Sequence, residues 1–420
     1  MAFIGGDLQH DLSARIRDSE RVRLLAVPID VGKRKASSLI CDFWGEVIAT
    51  PFEFPLNEIG FGDFATAVAR ASAARDALWV RVGLEQAGHY HLPLLARLRQ
   101  GNFDVALFNP AQVSANRAQD LLRSLKSDAR DLGAIGDLLI RGKGRTAREQ
   151  DPEIAQQAVI AAQRARKVDA RAALKNQILA TLDLVFPGLD DCFTDIFVSP
   201  FGRLLLREGF DPLRVRRLGP DRLRSFCRHR KLRTRMTTIE RVVVAARNAF
   251  LLPKEQVDAH SQALAQDVEL LDHLDSQIAR AESRLAVILP RTPAGILTTI
   301  PYVSVVRASN YGAALGEPGR FRNAAQVYRA SGLVPRLYES AGRRKPGMHI
   351  SREGKVDLRQ AILELGFALR RGHAASARHA KELEARGKGP GVISCALGHR
   401  ANRIAFAMVR DQRPFDPARW

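Results

Sequence analysis

The pattern of apolar and polar positions divides the chain into a first part with mixed strand and helix periodicity and a longer, mainly helical part. From residue 22 the apolar stretches LLAVPID, ASSLICDF and EVIATPFEF are separated by GKRK and WGE, which are typical of turns. Further along, helical periodicity in FATAVARASAARD and HYHLPLLARLRQ alternates with strand periodicity in ALWVRVGLE and FDVALFNP. Helices are predicted from Ala111 to about Leu139. The predicted element order is therefore βββαβαβα.

Three strands in a meander followed by alternating helices and strands is the order of an RNase H-like (RuvC-like) α/β domain. The segment from Arg141 to Glu149 is short, polar and basic, and helical periodicity dominates after it. We expect three parts: an α/β RNase H-like domain over residues 20–150, a helical insert with a coiled-coil-like linker over 151–290, and a mostly α-helical domain over 291–420.

One long amphipathic helix is predicted between Gln256 and Leu289. Its apolar residues recur in steps of three and four, which places them on one face: Leu264, Val268, Leu271, Leu274, Ile278, Ala281, Leu285 and Ile288. The pattern fits a coiled-coil arm that contacts another protomer, and equally an amphipathic helix that packs on its own domain.

The net charge of the chain indicates the class of its binding partner. Among 420 residues, 65 Lys and Arg stand against 45 Asp and Glu, a formal net charge of +20. Such an excess favours a polyanion, with nucleic acid first. No apolar stretch approaches the roughly 20 residues of a spanning helix, so we expect a cytoplasmic protein. The four cysteines show no CxxC pair, which predicts neither a disulfide framework nor a zinc site.

Carboxylates end two of the predicted strands and begin a predicted helix. Asp30 ends the first strand, Glu85 the fourth, and Asp128 and Asp131 share one helix face in KSDARD. Phosphodiester chemistry uses such oxygen ligands to hold Mg²⁺. Taken singly, each acid is more ordinarily a turn cap or a solvated side chain, and their joint placement is what favours a metal site.

Basic residues and one serine complete the candidate set. Lys33 and Lys35 follow Asp30 and could contact phosphate, although a basic hairpin turn is equally ordinary; His89 follows Glu85 and could contact DNA or be structural. In YESAGRRKPG, Ser340 lies beside three basic residues, Arg343, Arg344 and Lys345. A serine hydroxyl can attack a phosphodiester to form a covalent phosphoserine, while Ser before Ala-Gly is also a common turn residue.

Several of these motifs, in this order, resemble the insertion sequence 110 family of DEDD transposases, which includes pilin-gene invertases and RNA-guided recombinases. PIDVGKRK, VGLEQAGHY, LFNPAQV and KSDARDLGAI resemble the motifs of its nuclease domain, and the region from IPYVSVV to VDLRQA resembles its second block. The resemblance implies Asp30, Glu85, Asp128 and Asp131 as a Mg²⁺-binding tetrad and Ser340 as the nucleophile. It also implies donor and target DNA, a structured guide RNA, and a homodimer or homotetramer with a composite active site.

Three functions therefore stay open on the sequence. The favoured one is a transposase or site-specific recombinase that cleaves and rejoins DNA with the tetrad and the serine. A metal-only RNase H-like nuclease of the junction-resolvase type would use the first domain alone. An inactive nucleic-acid-binding protein would keep only the basic surface, although carboxylates at all four positions argue against loss of catalysis.

Overall fold

The first unit of the chain is built on one six-stranded mixed sheet. The computed structural model describes residues 23–86, 88–120, 128–147, 151–336, 339–340, 343–344 and 349–418. The chain forms two compact units, Met1–Glu149 and Gln150–Trp420. The predicted division into three parts stays a prediction.

The first five strands and the helices of the first unit follow the predicted order βββαβαβα, and a short sixth strand that was not predicted comes after them. They are β1 Leu24–Val31, β2 Lys35–Asp42, β3 Val47–Pro55, β4 Trp79–Glu85, β5 Asp104–Phe108 and β6 Arg145–Thr146, and the helices are α1 Glu58–Ala74, α2 His91–Gln100, α3 Pro110–Asp120 and α4 Asp128–Ile140. The sheet order is β3-β2-β1-β4-β5-β6. Strands β1, β4 and β5 are parallel, whereas β2 and β3 form an antiparallel meander with β1. The RNase H-like order is confirmed.

Both faces of the sheet are covered, which explains why β1 is apolar at almost every position. Leu25, Val27 and Ile29 pack into one buried cluster that includes residues of α1 and α2. Ala26 lies between Leu25 and Val27, so its side chain points to the other face of the sheet and belongs to a second cluster that includes Ile135 of α4. Helix α4 thus covers the face of the sheet opposite α1 and α2.

The described residues of the second unit form helices, one short hairpin and an isolated β-bridge between Pro335 and Ile350. Its helices are α5 Pro152–Val185, α6 Pro200–Arg207, α7 Pro212–His229, α8 Met236–Asn248, α9 Lys254–Ile288, α10 Val305–Leu315, α11 Ala324–Ala330, α12 Val356–Gly372, α13 Ala374–Ala385 and α14 Pro390–Asp411; the hairpin strands are β7 Glu339–Ser340 and β8 Arg343–Arg344. None of the helices in the described parts of the chain is long and apolar enough to cross a membrane.

The apolar face of the long helix α9 packs against α5 of the same chain. Polar contacts cross this pair in antiparallel order: Arg164 to Glu282, Lys167 to Gln277, Arg171 to Asp275 and Gln177 to Asp267. The apolar positions predicted for one face are buried, among them Leu264, Leu271 and Leu285. The stripe therefore packs within its own unit, as the amphipathic-helix alternative predicted, and a contact between protomers through this helix stays a prediction.

Two further cores complete this unit. One is formed by α6, α7 and α8 with the adjoining parts of α5 and α9. The other joins α10, α11, α12 and α14. At its centre Tyr311 is fully buried and donates a hydrogen bond to Asn402 Oδ1 at 3.1 Å, and Asn402 donates to the carbonyl of Ala324. Burial raises the pKa of the Tyr311 hydroxyl well above its ordinary range, so it remains a neutral donor.

Candidate active site

Asp30 and Glu85 lie side by side at the carboxyl ends of neighbouring parallel strands. The β1–β4 register pairs Ile29 with Leu84, so the next residues, Asp30 and Glu85, occupy equivalent positions on strands about 4.8 Å apart. Both residues are partly exposed. Two carboxylates at this spacing repel each other unless a cation or a hydrogen-bond donor lies near them.

Both carboxylates project toward the face that α4 covers. A methyl group placed on Gly83 would lie 2.7 Å from Leu139 Cδ1 and 2.8 Å from Ile135 Cγ2, so α4 crosses directly over β4. Pro28 of β1 lies under Gly136 in the same way. Because strand side chains alternate, residues two positions further along these strands share this face.

Helix α4, which covers this face, carries the other two predicted ligands. It begins at Asp128, whose side chain is not among those described, and Asp131 follows one turn before Ile135. The Asp131 side chain is buried and forms an ion pair with Arg117 of α3. Asn116 of α3 also binds α4, because its Nδ2 donates to Asp137 Oδ2 at 2.9 Å and to the Ala134 carbonyl at 3.2 Å.

The donor set fits a hard divalent cation in charge and ligand type. Asp30 and Glu85 offer carboxylate oxygens, which Mg²⁺ prefers, and Asp131 lies on the helix that covers the same face. Among the described side chains, no three His, Cys, Asp or Glu residues converge as metal ligands, and Asp131 is held by Arg117 instead. The convergence of all four carboxylates stays a prediction.

Arg117 and Asn116 are neighbours of the site that the sequence patterns did not single out. Their spacing gives a signal in retrospect, since Val113, Asn116 and Arg117 fall at helix positions i, i+3 and i+4 and share one face. Val113 is buried in the α4 cluster. Polar residues on the same helix face as a buried apolar residue indicate side chains that bind other polar groups within the fold.

The basic residues near Asp30 lie on the surface. Lys33 is exposed in the β1–β2 turn, and Lys35 Nζ forms an exposed ion pair with Glu53 at 2.7 Å. Such a pair contributes little to stability and exchanges readily for a phosphate. His89 is exposed, with its ring centroid 4.4 Å from that of Tyr90.

Ser340 ends a short strand in the second unit. The backbone pairs Ser340 with Arg343 and Glu339 with Arg344 in the β7–β8 hairpin. The side chains of Ser340, Arg343 and Arg344 are not described, and Lys345 lies outside the described residues. Ala341 and Gly342, on which the predicted turn falls, lie outside the described residues.

Buried thiols fit the inert role that the cysteine spacing predicted. Cys41, Cys192 and Cys227 are buried, and Cys395 is partly buried. Burial, with a smaller contribution from the adjacent Asp42 carboxylate, raises the pKa of Cys41 to about 11. A thiol at this pKa is not a nucleophile near neutral pH.

Comparison with known proteins agrees with the fold and its strand-end carboxylates. A family model described as a transposase, the IS110-type DEDD transposase, matches residues 27–187. A second one, described as Transposase IS116/IS110/IS902 family, matches residues 294–381. The chain is thus a transposase, an enzyme of DNA cleavage and transfer, with a DEDD nuclease domain of RNase H-like fold.

Individual proteins with similar sequences agree with the two family matches. An uncharacterized 44.8 kDa protein of insertion element IS116 from Streptomyces clavuligerus is 25% identical over 409 residues, which cover 93% of this chain and 96% of that protein. Pilin gene-inverting proteins of Moraxella bovis and Moraxella lacunata are 25% identical over 150 residues, 34% of this chain and 47% of theirs. This chain belongs to the IS110/IS116 family of transposases.

Proposed function

We propose that this transposase cleaves and rejoins DNA through a phosphoserine at Ser340, with Asp30, Glu85, Asp128 and Asp131 holding Mg²⁺ at the scissile phosphate. The observation that carries the proposal is the adjacent placement of Asp30 and Glu85 on the face covered by α4. A bound Mg²⁺ would polarise the phosphate and neutralise charge on the leaving oxygen.

Each side chain has a defined task in this scheme. The Ser340 hydroxyl loses its proton as its oxygen forms a bond to phosphorus, the bond from phosphorus to one strand end breaks, and that strand end gains a proton and leaves as a hydroxyl. The reverse attack by another strand's hydroxyl restores Ser340 and joins the new strands. Arg343, Arg344 and Lys345 bind the phosphate beside the serine, while Lys33 and Lys35 bind the backbone beside Asp30.

The test is a denaturing gel of purified protein with Mg²⁺, RNA transcribed from the element's flanks, and end-labelled junction DNA. Wild type should give cut strands and a protease-sensitive labelled adduct, and both should vanish in Ser340→Ala and in Asp30→Asn. Ser283→Ala, which removes an exposed hydroxyl on α9, is the matched control and should keep both products. Cleavage without an adduct in Ser340→Ala would establish a metal-only nuclease, and binding without cleavage by wild type would indicate an inactive binding protein.

The same reaction is proposed to need two protomers and a structured RNA. The family resemblance implies both, and the net charge of +20 is sufficient for RNA and DNA together. If the tetrad and Ser340 act across protomers, mixing Ser340→Ala with Asp30→Asn protein should restore cleavage that neither variant shows alone. If RNA guides the reaction, ribonuclease treatment of the purified protein should abolish cleavage, and adding back an RNA transcribed from the element's flanks should restore it.

A further inference from the structure

The largest local excess of positive charge lies in the helical insert, far along the chain from the proposed active-site residues. Between residues 214 and 235 there are ten Arg or Lys residues and a single acid, Asp221. This short segment therefore has a net charge of +9, close to half of the +20 of the whole chain. Neither family match includes it, since they end at residue 187 and resume at 294.

The segment is a bent helix followed by a turn, and the fold fixes its orientation. Helix α7 is interrupted at Gly219, whose φ of 65° and ψ of −179° are accessible essentially to glycine alone. Val215, Leu223 and Cys227 are buried and anchor the helix in the surrounding core. Seven basic residues on the outside are exposed and form what we call the basic ridge: Arg217, Arg222, Arg224, Arg228, Lys231, Arg233 and Arg235.

Arginines with a structural role in this unit are neutralised by acids or backbone oxygens. Arg203 and Arg207 bind Asp272, and Arg203 also binds Asp275. Within the segment itself, Arg230 pairs with Glu208 at 2.5 Å and Arg216 donates to carbonyls at the end of α8. Among the described residues, by contrast, no ion pair involves any member of the basic ridge.

One ridge residue occupies a backbone position that favours glycine. Lys231 follows Arg230, the C-cap of α7, with a φ of 57° in the left-handed region, and the Leu232 N–H donates to the Cys227 carbonyl at 2.9 Å. Glycine is common just after the C-cap of a helix. A lysine at this position, among other positive charges that repel it, is not explained by the stability of the fold.

We propose that the basic ridge is a binding surface for the phosphate backbone of duplex DNA, separate from the active site. Arg222 and Arg228 lie about 9 Å apart along the helix axis, a length over which duplex DNA carries about five phosphate charges. No exposed Phe, Tyr or Trp ring, the side chains on which single-stranded nucleic acid stacks its bases, lies between residues 214 and 235. Phe226 is half-buried against Phe210, and the exposed His229 has its Nδ1 2.8 Å from the Ser225 carbonyl oxygen.

DNA is the occupant because it is the substrate of a transposase, and the ridge would hold DNA outside the strand being cut. Phosphate contacts fix orientation without reading sequence. The ridge is therefore expected to contribute affinity and salt dependence rather than target choice.

The experiment compares two full-length triple variants with equal loss of charge. Arg222→Gln, Arg224→Gln and Arg228→Gln remove the centre of the ridge, whereas Lys254→Gln, Arg280→Gln and Arg284→Gln remove three exposed charges from α9. Binding to a short duplex DNA of arbitrary sequence is measured by fluorescence anisotropy without Mg²⁺ over a salt series. The ridge variant should bind roughly 10- to 100-fold more weakly at low salt, and its log–log salt slope should fall by about 0.9 for each phosphate that the variant no longer neutralises.

Equal binding of duplex DNA by the two triple variants would overturn the proposal. So would a lower unfolding temperature for the ridge variant than for the control variant. A ridge variant that loses affinity for duplex RNA but binds duplex DNA like wild type would overturn it as well. Cleavage of saturating junction DNA at low salt is measured in parallel. If the ridge variant cleaves this DNA like wild type while binding it more weakly in the salt series, the result supports the ridge as a binding surface. If wild-type protein binds DNA through the ridge but does not cleave it, only the proposed function is contradicted.

Discussion

Replacing Arg117 with leucine tests the part of the candidate site that the structure describes most fully. The Asp131 side chain is 7% exposed, and Arg117, its ion-pair partner, is 25% exposed. Removing one partner of a buried pair costs about 3–5 kcal/mol because the remaining charge is left uncompensated. Water reaches the guanidinium in part, so we expect Arg117→Leu to lower the free energy of unfolding by about 2–3 kcal/mol.

Arg141→Leu is the matched control, at the carboxyl end of α4. Arg141 Nε lies 2.9 Å from Asp137 Oδ1, but their side chains are 53% and 32% exposed. Exposed pairs one turn apart on a helix contribute about 0.3–0.5 kcal/mol. The control should therefore unfold close to wild type, and an equal loss in both variants would refute the argument from burial.

Chemical denaturation followed by tryptophan fluorescence suits this measurement, because two of the three tryptophans, Trp44 and Trp79, lie in the first unit. The titration is repeated with Mg²⁺. If Asp131 is a metal ligand, Mg²⁺ competes with Arg117 for it in wild type but not in the variant. Mg²⁺ should therefore stabilise Arg117→Leu more than wild type, by up to about 2.7 kcal/mol when the Mg²⁺ concentration is a hundred times the dissociation constant. Equal stabilisation of both proteins would remove Asp131 from the proposed tetrad.

Three further predictions concern the second unit. Lys231→Gly should stabilise the protein by about 1 kcal/mol, because glycine adopts the left-handed conformation without strain, and should weaken DNA binding; thermal unfolding and anisotropy measure the two effects. Gly366→Ala should destabilise it by about 3 kcal/mol, since the new methyl would lie 2.8 Å from the Gly398 backbone nitrogen, and unchanged thermal unfolding would contradict this. Burial raises the pKa of Asp275, but hydrogen bonds from Arg203 and Arg171 bring it below its ordinary value of 3.8. This carboxylate therefore stabilises the fold above about pH 4, and the contribution is lost as pH falls further. Asp275→Asn should flatten the acid limb of a stability–pH profile.

Local periodicity predicted most of the first unit because its strands and helices are long enough to show a repeat. The apolar run of β1 and the helical spacing of α1 each extend over several repeats. The β7–β8 hairpin was not predicted, since its strands have two residues each and no alternation to detect. There, only the turn preference of Ser-Ala-Gly was visible.

Partners across the fold could not be predicted from the same patterns. The repeat in α9 identified its apolar face but not α5 as the helix that covers it, because periodicity carries no information about the neighbour. For the same reason helix spacing groups Asp131 with Asp128 but does not pair it with Arg117, which belongs to another helix. Candidate ligands could be named from the sequence, whereas the contacts that hold them depend on the fold.

The distribution of charge shows the same difference between composition and structure. A net charge of +20 predicts a polyanionic partner without locating its binding surface. In the second unit, acids such as Asp272 and Asp275 pair with arginines that join α6, α5 and α9, so those cations are not available to a ligand. Among the described residues, by contrast, no acid forms an ion pair with a member of the basic ridge, so its positive charge is not neutralised within the fold. Counterions condensed on duplex DNA would be released at such a surface, and the entropy of that release favours binding there over binding to the paired arginines nearby.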